Sequence, residues 1–444
     1  MIYSTKRFLS ASLLAVAIGA GLATTSNTAS AQGAEPQYFP LLTYRTGPYG
    51  VNGAPWANGF VDYLKLVNNR DGGINGVKIS WEECEFGYAT DRGVECYERI
   101  KGKGKAASVQ PLSTGVTFAL TDKVEKDQIP ILTVGYGRSE SQDGRVFKWN
   151  FPIGGSYWTA ADIIIQHLIK KEGDLKGKKI ALIYHDSPYG KEPIPLLQKR
   201  AQLNGFQFTA IPVAHPGVEQ KSAWLQVRQT RPDYVLLWGW GVMNGTAIKE
   251  AVATNYPREK MYGIWWAGAE VDVKDVGANA KGYNAITLQH GAGRAKVHEE
   301  ILKHVHGKGQ GTGPADEVGT VLYTRGMISG MLAVEGVRTA QGKYGKKALT
   351  GAQTRWGYEN LYLDHQDLAN LGFANVLRAI KTTCDDHVGS TFARIHTWDG
   401  TKWNFTSDWY SADDSVVNPL VRSTADAYAK SKNIQRRPDA DCRG

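Results

Sequence analysis

Residues 179–239 read KIALIYHDSPYGKEPIPLLQKRAQLNGFQFTAIPVAHPGVEQKSAWLQVRQTRPDYVLLWG. Lys179 to Tyr184 is an apolar run of strand length, and the stretch after it stops at Asn204-Gly205, a helix-ending pair. Phe206 to Val213 reads as the next strand. A helix carrying Trp224 and Val227 then leads to the strand Tyr234 to Trp238, and another helix leads to Tyr262 to Trp266. Strand and helix alternating at this pitch make a parallel sheet covered by helices on both faces. In open sheets of that kind ligands bind beyond the carboxyl ends of the strands.

The same rhythm runs upstream. Tyr38 to Tyr44 is strand-like and closes at the Gly47-Pro48 turn. Pro55 sits where a first helical turn accepts it, and Trp56, Phe60, Leu64 and Val67 follow along one helical face. Val77, Ile79 and Trp81 alternate as a half-buried strand; Val116, Leu120 and Val124 mark a helix, and Ile129 to Val134 a strand. Two such runs imply an α/β protein of two doubly wound, parallel-sheet lobes. Beyond Ala285 the pattern loosens. His304 to Pro314 is Gly-rich, but Gly307, Gly309 and Gly311 do not stand between a strand and a helix, so they do not form a dinucleotide loop. A helix is expected from Val318 to Ala340. Phe392 to Thr397, the Asp399-Gly400 turn and Trp403 to Trp409 read as a hairpin.

The amino terminus sets the expected compartment. Lys6 and Arg7 precede a small and apolar run from Phe8 to Ala23, and Ala29-Ser30-Ala31 suits cleavage before Gln32. Residues 1–31 are therefore expected to be a signal peptide directing a free protein to the periplasm. The remaining chain, about 410 residues, is too long for one ordinary core and fits two compact units. The formal charge of +9 falls by two with Lys6 and Arg7. The excess favours anionic small ligands at long range and is too diffuse for nucleic acid. The basic stretch Lys101 to Lys105 is interleaved with glycine and reads as a solvated turn. Four cysteines in an exported chain point to disulfides, with three connectivities open. Chain order favours Cys84 with Cys96, a loop of about 13 residues contributing about 3 kcal/mol, and Cys384 with Cys442. No C-x-x-C occurs, and His298-Glu299 begins an H-E-x-x-H pattern that Leu302 breaks, so no metal site is expected.

Val67 to Ile79 (VNNRDGGINGVKI), Pro111 to Gly115 (PLSTG), Ile129 to Gly135, Ile183 to Gly190 (IYHDSPYG), Asp233 to Gly239 and Ala280-Lys281-Gly282 stand in an order found elsewhere. Through them the chain resembles, over about residues 38–400, the periplasmic binding proteins of the branched-chain amino acid, amide and aromatic-acid ABC transporter family. The resemblance implies two lobes joined by three crossovers, with a ligand cleft between them that closes by hinge motion. It places residues 36–152 and 284–372 in one lobe, and 153–283 and 373–444 in the other. It also implies a small-molecule ligand, permease subunits of an inner-membrane importer as partners, no cofactor, no nucleic acid and a monomeric receptor.

At the strand ends the first lobe offers Tyr44, Arg45, Thr46, Tyr49, Ser113, Thr114, Tyr136 and Arg138, with Tyr157 and Trp158 near the first crossover. The second offers His185, Asp186, Tyr189, Trp238, Trp240, Trp265, Trp266 and Glu270. Expected to bind ligand are Tyr44, Arg45, Tyr49, Ser113, Thr114, Tyr136, Tyr157, Trp158, Tyr189, Trp238, Trp265 and Glu270. Any single Trp here could equally be core. Ser113-Thr114-Gly115 opens a helix whose N–H groups can take a carboxylate, or Ser113 can simply cap that helix. Family members that bind amino acids supply acids for the ligand ammonium; this chain has Ser156-Tyr157-Trp158 and Trp265-Trp266 at those places, with Glu270 a few residues on. An aromatic or apolar carboxylate therefore fits better than a branched-chain amino acid, which would bury an unpaired ammonium.

No G-x-S-x-G elbow, paired metal motif or P-loop occurs, which argues against an enzyme. His185-Asp186-Ser187 holds the three residue types of a triad, but neighbours on one turn are not expected to take its geometry. A sensory subunit that reports the ligand to a membrane signalling partner remains the rival to import, as does binding of an amino acid or amide.

Overall fold

The computed structural model describes residues 35–289 and 293–442, and the expected signal segment lies outside them. The first sheet is built on β1 (Gln37–Thr43), which pairs in parallel with β2 (Ile79–Glu85). Parallel bridges from Tyr38 to Ala106 and Leu41 to Gln110 add residues 106–110 on the other side of β1. Val109 in turn bridges to Ile131 of β3 (Ile131–Leu132), which pairs with β4 (Asn150–Phe151). Every residue of β1 is buried, as a central strand covered on both faces requires.

The large sheet gathers β5 (Lys179–His185), β6 (Gln207–Val213), β7 (Tyr234–Trp238), β8 (Met261–Gly263) and β9 (Asn284–Thr287) in parallel. Further on, β10 (Tyr362–Leu363) and β11 (Ile380–Lys381) form a small separate pair. β12 (Phe392–Trp398) then pairs antiparallel with β9, β13 (Trp403–Phe405) and β14 (Tyr410–Ser411) at the edge of the large sheet. The fold is thus an α/β protein of two sheet-centred lobes, and the expected hairpin is the antiparallel edge of one of them.

Three expectations are corrected. Asn284–Thr287, assigned above to the first lobe, pairs with β8 and β12 in the large sheet. Helix α1 (Gly50–Arg70) begins before Pro55, which therefore lies inside it and removes one backbone bond. β8 ends at Gly263, so Trp265 and Trp266 fall on a 3₁₀ turn beyond the strand. Helices α2 (Thr90–Ile100), α3 (Thr114–Asp127) and α4 (Tyr157–Glu172) follow the strand ends of the first lobe and the crossover. The buried helix Val321–Tyr344 packs along α1, where glycines allow close approach. A Cβ on Gly326 would lie 1.8 Å from the Trp56 carbonyl, and one on Gly59 1.9 Å from that of Tyr323. Disulfides join Cys84 to Cys96 and Cys384 to Cys442.

Candidate functional site

The strand ends of both lobes converge on one small cavity, lined by Tyr44, Tyr88, Leu112, Ser113, Thr114, Tyr136, Tyr157, Tyr189, Trp240 and Trp266. Tyr44 follows β1, Leu112–Thr114 follow residues 106–110, and Tyr136 follows β3. From the other lobe Tyr189 follows β5, Trp240 follows β7 and Trp266 follows β8. Tyr157 is the first residue of α4, capped by Ser156. A larger charged groove of about 1360 Å³ lies among residues 142–145, 385–392 and 414–436. Its charges are largely spent on one another, as in Arg145–Asp385 and Asp143–Arg436, and it shares no residue with these strand ends.

Most polar groups of the wall are committed to holding it. The Tyr44 hydroxyl donates to the Leu112 carbonyl at 2.8 Å and accepts from Trp240 Nε1 at 3.0 Å. The Tyr136 hydroxyl accepts from the Leu112 amide at 2.8 Å, and Tyr189 donates to the Gly239 carbonyl at 2.8 Å. Trp265 and Trp266 both donate to the Gly135 carbonyl, at 2.7 and 3.0 Å. At the start of α3, Ser113 Oγ accepts from the Val116 amide at 3.3 Å. The first-turn amides of Thr114 and Gly115 have no acceptor within the helix, as at any helix start. Thr114 and the Tyr157 phenol face one another in the wall. Among the described residues the Tyr88 hydroxyl has no hydrogen-bond partner. The uncommitted groups of the wall are therefore backbone amides, which donate, and hydroxyls, which can donate or accept, set among aromatic rings. Burial raises the pKa of Tyr44, Tyr136, Tyr157 and Tyr189, so these phenols stay protonated.

Of the expected residues, Tyr44, Ser113, Thr114, Tyr136, Tyr157 and Tyr189 line this cavity, and six do not. Arg45 is turned to Glu83 at 2.7 Å and Asn58 at 2.6 Å. Tyr49 lies outside the wall, bonded to His185 and His215, both at 2.8 Å. Trp158 is buried, with Nε1 donating to the Glu192 carbonyl. Trp238 is buried core, its ring centre 6.1 Å from that of Tyr157. Trp265 stands behind the wall, parallel to Tyr157 at 6.3 Å and bonded through its carbonyl to Arg325. Glu270 accepts from the Val321 amide at 3.1 Å, and burial pushes its carboxyl up to about 7. Its neighbour Asp272 holds Asn52 and Asn244 at 3.1 and 2.9 Å, with its carboxyl raised to about 6 by the same cause. Arg325, wholly buried, packs 4.8 Å from the centre of the Trp266 ring.

Sequence reading missed Tyr88, Leu112 and Arg325. Tyr88 follows the end of β2, so the rule that found the other strand-end residues reaches it too. Arg325 lies in the second turn of the Val321–Tyr344 helix, away from any strand end, where pattern carries no signal. His185 Nδ1 does lie 2.8 Å from Ser187 Oγ, contrary to the expected geometry, but Asp186 pairs with Lys191 and does not complete a triad.

A model of a family described as periplasmic binding protein matches residues 36–402. Comparison with curated proteins gave no match. Among solved structures, one described as an ABC transporter permease from the Pseudomonas fluorescens group is 39% identical, with a TM-score of 0.84. The match covers 91% of this chain and all of that one. Among the described residues here, no helix is long and apolar enough to cross a membrane. A branched-chain amino acid ABC transporter protein from Thermus thermophilus, with bound valine, is 20% identical over 87% of this chain and 99% of its own, at TM-score 0.73. A solute-binding protein from R. palustris in complex with benzoate is 18% identical over 84% and 96%, at 0.65.

Proposed function

This chain belongs to the periplasmic binding protein family, whose members are substrate receptors of ABC transporters and not enzymes, and we propose that it captures a small aromatic or apolar carboxylate for import. The observation that carries this reading is the cavity wall: its uncommitted polar groups are backbone amides and hydroxyls able to donate, and no Asp, Glu, Lys or Arg lines it. A carboxylate can accept from the first turn of α3 and the free phenols, while its apolar part lies against Tyr and Trp rings. An α-ammonium would find no anion there, because Glu270 is turned to the Val321 amide. Valine and benzoate are the ligands named for two structures of the same fold, and it is the wall that favours the second kind here. We further propose export by residues 1–31, and lobes of residues 36–152 with 288–372 and of 153–287 with 373–442.

The test is a thermal-shift screen of the mature protein against benzoate, phenylacetate, hexanoate, benzamide, leucine and valine. Ligand at a hundred times its Kd adds about 2.7 kcal/mol to the native state. The acids are expected to raise Tm and the amino acids to leave it unchanged. A shift with leucine or valine and none with the acids overturns the reading.

A further inference from the structure

We propose that Tyr88 is a specificity-determining residue, its hydroxyl donating to the ligand carboxylate, and that the Cys84–Cys96 disulfide positions it. This rests on the carboxylate reading above. Tyr88 lines the cavity and is the one lining residue that is half-buried, so it stands where the cavity meets solvent. Unlike the hydroxyls of Tyr44, Tyr136 and Tyr189, its hydroxyl makes no hydrogen bond among the described residues.

Its backbone is as unusual as its hydroxyl. Phe86 to Ala89 close a turn through a 3.1 Å bond from the Ala89 amide to the Phe86 carbonyl. Both central residues lie in the left-handed region, Gly87 at φ 57° and Tyr88 at φ 65°. A turn of this kind asks for Gly, Asn or Asp at both places, and a bulky aromatic there persists only where its surroundings impose it. Two surroundings do so. The disulfide ties Cys84, two residues before the turn on β2, to Cys96 in α2 on its far side. The ring of Tyr88 is held by Tyr49 at 4.4 Å and Tyr44 at 5.0 Å. The strained turn thus projects an uncommitted phenol into a wall where the polar groups of Tyr44, Tyr136, Tyr189, Trp240 and Trp266 are committed. A polar donor kept free in such a wall meets a ligand acceptor, and a carboxylate takes more from it than a neutral carbonyl does.

The experiment measures the affinity of the wild type and Tyr88→Phe for the best-binding acid of the screen and for its primary amide. Losing one hydrogen bond to a charged group is expected to weaken the acid about 10- to 100-fold, and the amide by less than about 10-fold. Equal losses for acid and amide would reduce Tyr88 to packing, and no loss would remove it from the site; either overturns the assignment. If the wild type binds none of the acids, the carboxylate reading itself falls and this assignment with it. For the disulfide, Cys84→Ser/Cys96→Ser is expected to weaken the acid by a similar factor, and adding Tyr88→Phe to cost nothing more. Gly87→Val, which strains the same turn, serves where the double variant does not fold. Additive losses would confine the disulfide to stability.

Discussion

Glu270 shows how far a residue's identity can be read without its surroundings. Its place in the chain made it the one candidate for a ligand ammonium, yet it is buried against the start of the Val321–Tyr344 helix, and no sequence pattern encodes which way that carboxylate turns. Tyr44, Ser113 and Tyr157 were legible because strand ends and helix starts are fixed by the chain's own rhythm. The consequence for Glu270 is energetic. Its carboxyl is raised to about 7 in the folded protein, chiefly by burial, from about 4.3 in the unfolded chain. The folded state therefore favours the protonated form. Stability from this group is full below about pH 4.3, falls as pH rises toward 7, and is level above that. The span amounts to roughly 3 to 4 kcal/mol, since each pKa unit is about 1.4 kcal/mol. Glu270→Gln keeps the shape without the charge. Its Tm relative to wild type is expected to rise steadily from pH 4.5 to pH 7 and then stay constant, as measured by calorimetry across that range. A constant difference over the whole range would show that Glu270 titrates in the folded protein as it does in the unfolded chain, so that burial does not raise its carboxyl.

Among elements, the strands were legible and their partners were not. β7 is an unbroken buried run, and such runs announce a covered parallel strand. Nothing in Phe392–Trp398 says that it will close the large sheet antiparallel to β9. Pairings between distant segments are settled by packing, and the contact of the Gly47–Tyr49 turn with β5 is of this kind. The Tyr49 hydroxyl bridges His185 Nε2 and His215 Nδ1, and the two imidazole centres lie 3.9 Å apart. The other groups facing them are Tyr88, Tyr189 and Ser187, with Asp186 held by Lys191. One phenol can donate to one ring and accept from the other while both are neutral. Two charged rings would leave its proton unpaired and repel each other. Burial pushes His185 down to about 3 and lowers His215 as well. If ligand release parts this contact, both rings return toward about 6.5. The contact is then at full strength above that pH and weakens below it, by up to tenfold per unit through the buried His185 and by less through the exposed His215. Glu192, Glu270 and Asp272 carry raised carboxyl values and act in the opposite sense, so total affinity mixes the two. Comparing wild type with His185→Asn/His215→Asn removes the carboxyl contribution, which both share. From pH 7 to 5 the wild type is expected to lose affinity faster than the variant. Parallel pH profiles would mean the contact persists when ligand leaves.

At the scale of the molecule, composition and length led to two lobes, but how tightly they meet could not be read from either. Across the cleft, Trp240 bonds Tyr44, Asp272 bonds Asn52, Glu192 takes the Ser139 amide at 2.9 Å, and the Trp265 and Trp266 indoles share the Gly135 carbonyl. These bonds close the lobes onto a small cavity, with nine of its ten lining residues buried. With nearly the whole wall buried, uptake is expected to require the lobes to part. The closed form desolvates the Tyr, Ser, Thr and Trp polar groups of the wall, and water can satisfy the same groups in an open form. Ligand shifts that balance by its preference for the closed state alone. X-ray scattering in solution is therefore expected to show a larger radius of gyration without ligand than with saturating acid. Trp265→Ala, which removes one cross-lobe bond and the ring behind Tyr157, should raise the acid concentration needed for compaction. Its ligand-free Tm should fall by only a few degrees, because the lost packing lies between the lobes and not within either one. An unchanged radius on binding would mean that the closed form is the resting state, and the entry route would then have to be sought in local movement of Tyr88 and its turn.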